Sequence, residues 1–154
     1  MSQHAATVEW TRNGAVFTDG KYSRGHVWRF DGGVEVPASS DPGTVRPPLS
    51  VVEAVDPEEA LIASLSSCHM LWFLAIAAKR GFVVDSYKDE ATAEMGRDPD
   101  GGLSMHRVTL RPQVRFGGER RPSSEEFAAM HDEAHHKCYI ARSVKAEVVH
   151  EPTM

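Results

Sequence analysis

Residues 56–81 read DPEEALIASLSSCHMLWFLAIAAKRG, and this stretch decides the fold. Asp56 is a good N-cap and Pro57 fits the first helical position. Glu58 and Glu59 complement the positive end of the helix dipole. Lys79-Arg80-Gly81 supplies closing cations and a glycine just past the end. Between these signals, Leu61, Leu65, Cys68, Trp72 and Ile76 recur at spacings of four, three, four and four, which is one helical face. The spacing predicts one long helix with Cys68 in the middle of its apolar stripe. No charged residue occurs from Ala60 to Ala78, which by length alone resembles a membrane span. Ser64, Ser66, Ser67, Cys68 and His69 interrupt the run, so the buried centre of a compact domain is expected and no membrane is implied.

Outward from this helix, both flanks read as strands. Before it, residues 7–10, 25–30 and 34–36 show rough alternation, punctuated by Asp19-Gly20 and Asp31-Gly32-Gly33. The last pair reads as a hairpin. Residues 39–48 carry Pro42, Gly43, Pro47 and Pro48 and read as a loop. After Gly81 the period changes from helix to strand. Phe82–Met95 and Leu103–Phe116 predict two strands joined by a turn over 97–102, with Val108, Leu110, Val114 and Phe116 on one face. One wet face predicts an antiparallel sheet, and Pro112 an edge or a bulge. Ser123 with Glu126 forms a capping box for a second helix. Phe127, Met130, Ala134 and Cys138 line its inner face, and a closing strand is expected over 144–149. Strands, a long helix, strands, a helix and a strand make an α+β fold.

With 154 residues, one domain spanning 1–154 is expected. Seventeen Lys and Arg against 22 Asp and Glu give a net charge of −5, unsuited to gripping phosphate backbones, so no nucleic acid is expected. The first residues lack a basic region followed by an apolar one, so a cytoplasmic location is expected. Two cysteines are too few for a disulfide framework or a four-cysteine zinc site. In a reducing compartment they are either inert core residues or a working redox pair. Polar company favours work: Ser66-Ser67-Cys68-His69 on one helix, His135-His136-Lys137-Cys138 on the other.

A metal or ligand module is the alternative, since Cys68, His69, His131, His135, His136 and Cys138 are all types that zinc accepts. The glutamate in His131-Asp132-Glu133-Ala134-His135 is at the wrong offset for a zinc protease, and several of these histidines are expected on the solvated face. A serine hydrolase is excluded by the lack of Gly-x-Ser-x-Gly. No phosphate-binding glycine loop occurs either, and no cofactor is expected.

Asp56-Pro57-Glu58-Glu59, with Cys68 ten positions after Glu58, resembles the OsmC/Ohr family of organic hydroperoxide reductases. Its second signature, His-x-x-Cys before a short loop and a final strand, matches His135-His136-Lys137-Cys138. The resemblance covers nearly the whole chain. It implies antiparallel sheets around a long central helix, an intertwined homodimer, and a thiol peroxidase acting on small organic hydroperoxides. Cys68 would be the peroxidatic cysteine and Cys138 the resolving one, with Glu58 orienting an arginine. Arg24 is the first choice for that arginine, ahead of Arg29 and Arg46. The implied reductant is an external dithiol of lipoyl type. His69 stands where the family commonly has Phe, and Tyr139 where it commonly has Pro.

Overall fold

The structure, a computed structural model, describes residues 2–154 and is α+β. It divides into two compact units, residues 1–61 and 62–154.

In the first unit, β1 (Ala6–Glu9), β2 (His26–Phe30) and β3 (Glu35–Ala38) form an antiparallel sheet in the order β1-β2-β3. The residues flanking the Asp31-Gly32-Gly33 turn pair as the expected hairpin, with Gly33 at φ 85°. Register sets Arg29 opposite Glu35, and the two form an ion pair. The unit ends in the start of α1 (Pro57–Lys79). Glu59 N–H donates to Asp56 Oδ1 at 2.7 Å, and Asp56 N–H donates to Glu59 Oε2 at 3.2 Å, a reciprocal cap.

The second unit holds the rest of α1, which closes as its sequence predicts. Gly81 takes φ 79°, its N–H bonds Ala78 O at 3.0 Å, and Phe82 N–H bonds Ala77 O at 3.0 Å. These are the two bonds that satisfy the last carbonyls of a helix. Then follow β4 (Val83–Asp89), β5 (Thr92–Arg97), β6 (Leu103–Leu110) and β7 (Pro112–Gly117). After them come α2 (Ser124–Lys137) and β8 (Glu147–His150). The two long strands expected after the helix are therefore four. β4 pairs with β7, while β5 pairs with β6 in a separate sheet. Asp89 holds the breaks together, accepting Arg111 N–H at 2.6 Å and the Ser66 hydroxyl at 2.5 Å. Pro112, which lacks an N–H, opens the new strand. β8 runs parallel to β6, so that sheet is mixed. It starts three residues later than expected, and a 3₁₀ turn over Ala141–Ser143 precedes it.

Phe73, Ile76 and Ala77 of α1, Phe82, Val114 of β7, and Phe127, Met130 and Ala134 of α2 make the core of this unit. Phe73 is fully buried, edge-on to Phe127 at 5.9 Å. Its truncation to Ala would cost about 3–5 kcal/mol. The stripe α1 buries is Leu65, His69, Phe73, Ile76 and Ala77. It is rotated by about one residue from the expected one, so Cys68 lies at its margin and His69 at its centre. This helix is also long and apolar enough to cross a membrane, with 28% of its most apolar window buried within the chain. Leu71 on the opposite face is 63% exposed.

Candidate functional site

The capping box Ser123–Glu126 starts α2, and its buried face of Phe127, Met130 and Ala134 seats it on the core. Its C-cap is Cys138, in extended backbone. Beside that break in the helix, the buried Cys138 thiol has the half-buried Cys68 thiol of α1 as its neighbour, and both are free. Cys138 Sγ also accepts the Ala141 N–H at 3.4 Å. Burial, and then the contact with Cys68, push the Cys138 thiol up to about 11, so it is held protonated. The two sequence-predicted cysteines are thus brought together.

One turn along α1 a second contact repeats the pattern. Trp72 meets Tyr139 edge-on at 5.6 Å, with Lys137 Nζ 5.5 Å from the indole centroid. Trp72 shares a helical face with Cys68, and Tyr139 follows Cys138, so the aromatic pair stands beside the thiol pair. Tyr139 is 66% exposed.

Four histidines gather in the same unit. His69 Nε2 and His131 Nδ1 lie 2.9 Å apart and share one hydrogen bond, with their rings stacked at 5.2 Å. His150 of β8 lies 5.5 Å from the His69 ring and 5.9 Å from the His131 ring, and His135 is 5.8 Å from His150. Burial, with the neighbouring imidazoles adding to it, pushes His69 down to about 4 and His131 down to about 3. His135 is lowered for the same first reason. Several of His69, His131, His135 and His136 are expected on the solvated face; His136 is exposed, whereas His69 and His131 are buried. A period of four would have found them, since Leu65-His69-Phe73 and Phe127-His131 fall on the two buried faces. Among the described residues no three His, Cys, Asp or Glu side chains are placed to hold a metal ion.

Arg24 and Glu58 belong to the first unit. Arg24 Nη1 donates to Gly20 O at 2.8 Å and Tyr22 O at 2.5 Å, and the guanidinium lies 3.9 Å from the centre of the Tyr22 ring. It lines an apolar cavity of about 470 Å³ with Trp10, Phe17, Tyr22 and Pro57. Arg29 is instead committed to Glu9 at 2.6 Å and to Glu35, and Arg46 is exposed. Glu58 is exposed in the first turn of α1.

Comparison with known proteins matches this architecture. Residues 51–153 match the family model for OsmC-like proteins. An OsmC-like protein of unknown function from Vibrio cholerae is 50% identical, with a TM-score of 0.96 over 99% of both chains. An organic hydroperoxide resistance protein from Elizabethkingia anophelis superposes with a TM-score of 0.72 at 16% identity, over 99% of this chain and 95% of that one. For the organic hydroperoxide resistance protein OhrB of Bacillus subtilis the values are 0.65 and 15%, over 99% and 97%. At such identities these two share the fold. No curated protein matches the chain. With the family model covering the long helix, both cysteines and the closing strand, the chain belongs to the OsmC-like protein family.

Proposed function

We propose that this protein is a thiol peroxidase that reduces organic hydroperoxides in the cytoplasm, as a homodimer. The observation that carries the reading is that the free Cys138 and Cys68 thiols are neighbours, one buried and one half-buried. A protonated, buried Cys138 is a poor first nucleophile, which leaves attack to the more accessible Cys68. The Cys68 thiolate attacks the terminal peroxide oxygen. The S–O bond forms, the O–O bond breaks, and the alkoxide takes a proton to leave as the alcohol. Cys138 then attacks the Cys68 sulfenic acid, forming the S–S bond and releasing water. An external dithiol of lipoyl type resets the pair by two exchange steps.

Arg24 is assigned the role of favouring the Cys68 thiolate and hydrogen-bonding the peroxide, with Glu58 holding the guanidinium flat. Its support is that Arg29 is already paired with two carboxylates, whereas Arg24 faces an apolar cavity. Ten residues of helix span ~15 Å, so Glu58 of one chain does not reach Cys68 of the same helix. The homodimer supplies the partner's Glu58 instead. Counting free thiols before and after one equivalent of cumene hydroperoxide tests the reading. Two thiols per chain should disappear; no loss would contradict it.

A further inference from the structure

The helix that carries Cys68 and the helix that Cys138 caps are tied together by a buried polar contact, one residue beyond Cys68. His69 of α1 and His131 of α2 are 1% and 0% exposed, and one N–H···N bond of 2.9 Å joins them. The Arg80–Glu133 ion pair also links α1 to α2, at 2.8 Å, but Arg80 is twelve residues beyond Cys68 and both groups are a third exposed. At the level of the thiols the imidazole pair is the polar tie.

We propose that His69 and His131 are positioning residues for the thiol pair. As a neutral pair they hold the Cys68 stretch of α1 against α2, and a proton on either ring releases Cys138 from Cys68.

The geometry gives the reason. A proton added to the pair goes to a buried outer nitrogen and leaves the N–H···N bridge in place, so what opposes it is the charge it puts into the core. A cation formed there meets no compensating charge in the cluster. The groups facing it are His150 from β8 and His135 from α2, both imidazoles. The Asp132 carboxylate, 65% exposed, meets His150 Nε2 at 3.4 Å and is not paired with either ring of the His69–His131 bond. The Phe73 ring stacks on His131 at 4.1 Å and Phe127 meets it edge-on at 4.7 Å. The outer nitrogens, His69 Nδ1 and His131 Nε2, are buried with no protein partner. The lowered proton affinity of both rings agrees with this enclosure.

The role rests on the peroxidase reading. In that cycle Cys68–SOH and Cys138–SH give the disulfide and water. A displaced Cys138 leaves the sulfenic acid open to a second hydroperoxide and to irreversible oxidation.

The test needs no peroxide. Reduced protein is equilibrated in glutathione–glutathione disulfide buffers from pH 7.5 to 5.0 with a selenol catalyst. Mass spectrometry then compares the Cys68–glutathione mixed disulfide with the Cys68–Cys138 bridge, which gives the effective concentration of Cys138. Exchange consumes one thiol and releases one, so well below the thiol pKa values the equilibrium does not follow thiol ionisation. The wild type should lose about tenfold or more of this effective concentration by pH 5.0. His131→Gln keeps hydrogen-bonding capacity without titrating there, and should lose less than about a third as much. His131→Leu should start about tenfold below wild type at pH 7.5, as expected for a lost buried hydrogen bond. A flat wild-type curve, or the full wild-type fall in His131→Gln, would overturn the proposal. Should His131→Leu not fold, the His131→Gln profile decides alone. Failure of the peroxidase reading shows separately, as unchanged thiols after hydroperoxide.

Discussion

The Cys138 thiol, buried at the C-cap of α2, neighbours the Cys68 thiol at the margin of the buried stripe of α1. Two residues seventy positions apart in the chain are therefore neighbours without any helix unwinding. A disulfide needs Cα atoms within ~7 Å, and neighbouring thiols require little backbone movement to meet that limit.

Replacing Arg24 with Ala should slow peroxide reduction more than ~10-fold, the scale of a lost charge-assisted contact. Lys at that position should restore only part of the rate, because an ammonium lacks the planar fork that bridges a carboxylate and a peroxide. Steady-state kinetics with cumene hydroperoxide check this. Activity lost in Arg29→Ala but kept in Arg24→Ala would reassign the arginine. Arg29→Ala should instead weaken the three-stranded sheet modestly, since its two ion pairs are partly exposed.

The exposed apolar face of α1 makes a dimer the expected state. Leu71 is 63% exposed on a helix whose most apolar window is 28% buried within the chain. Such a face calls for cover by another apolar surface. Leu71→Glu should shift sedimentation at micromolar concentration towards the monomer and lower activity together with it. A fully active wild-type monomer at that concentration would contradict the dimeric site.

Acid should destabilise the fold through its buried imidazoles. His69 and His131 bind protons near pH 6.5 when unfolded but only near 4 and 3 when folded. The unfolded state therefore holds more protons below pH 6.5, and stability falls as pH drops from there through the folded values. A single such group forfeits about 3 kcal/mol by pH 4. Urea unfolding at pH 7.5 and 4.5 reads the difference. His131→Gln should flatten the dependence, and an equal loss in both proteins would place the acid sensitivity elsewhere.

Much of this architecture is legible in the sequence. Asp56-Pro57 and Gly81 bound α1 as its caps predict, and Ser123–Glu126 opens α2. These are local signals, set by hydrogen bonds within a few residues. The break at Arg111 was hidden because Val108, Leu110, Val114 and Phe116 keep one alternating phase straight through it. Only Asp89, distant in sequence, shows where the chain changes sheets. The parallel pairing of β8 with β6 was hidden for the same non-local reason. Helical spacing singles out Cys68 and Cys138 in the sequence, although Cys138 lies one residue past α2, whereas the imidazole cluster draws on α1, α2 and β8 and no single segment displays it.

The most direct test of the two-cysteine mechanism compares wild type, Cys68→Ser and Cys138→Ser after hydroperoxide treatment, by intact and peptide mass spectrometry. Wild type should lose two hydrogens and yield a Cys68–Cys138 bridge within one chain. Cys138→Ser should complete one turnover, then carry Cys68 on to sulfinic and sulfonic acids with excess peroxide. Cys68→Ser should consume none, because a serine hydroxyl is not ionised near neutral pH. Equal peroxide consumption by Cys68→Ser and wild type would contradict the account and leave the two cysteines as packing residues.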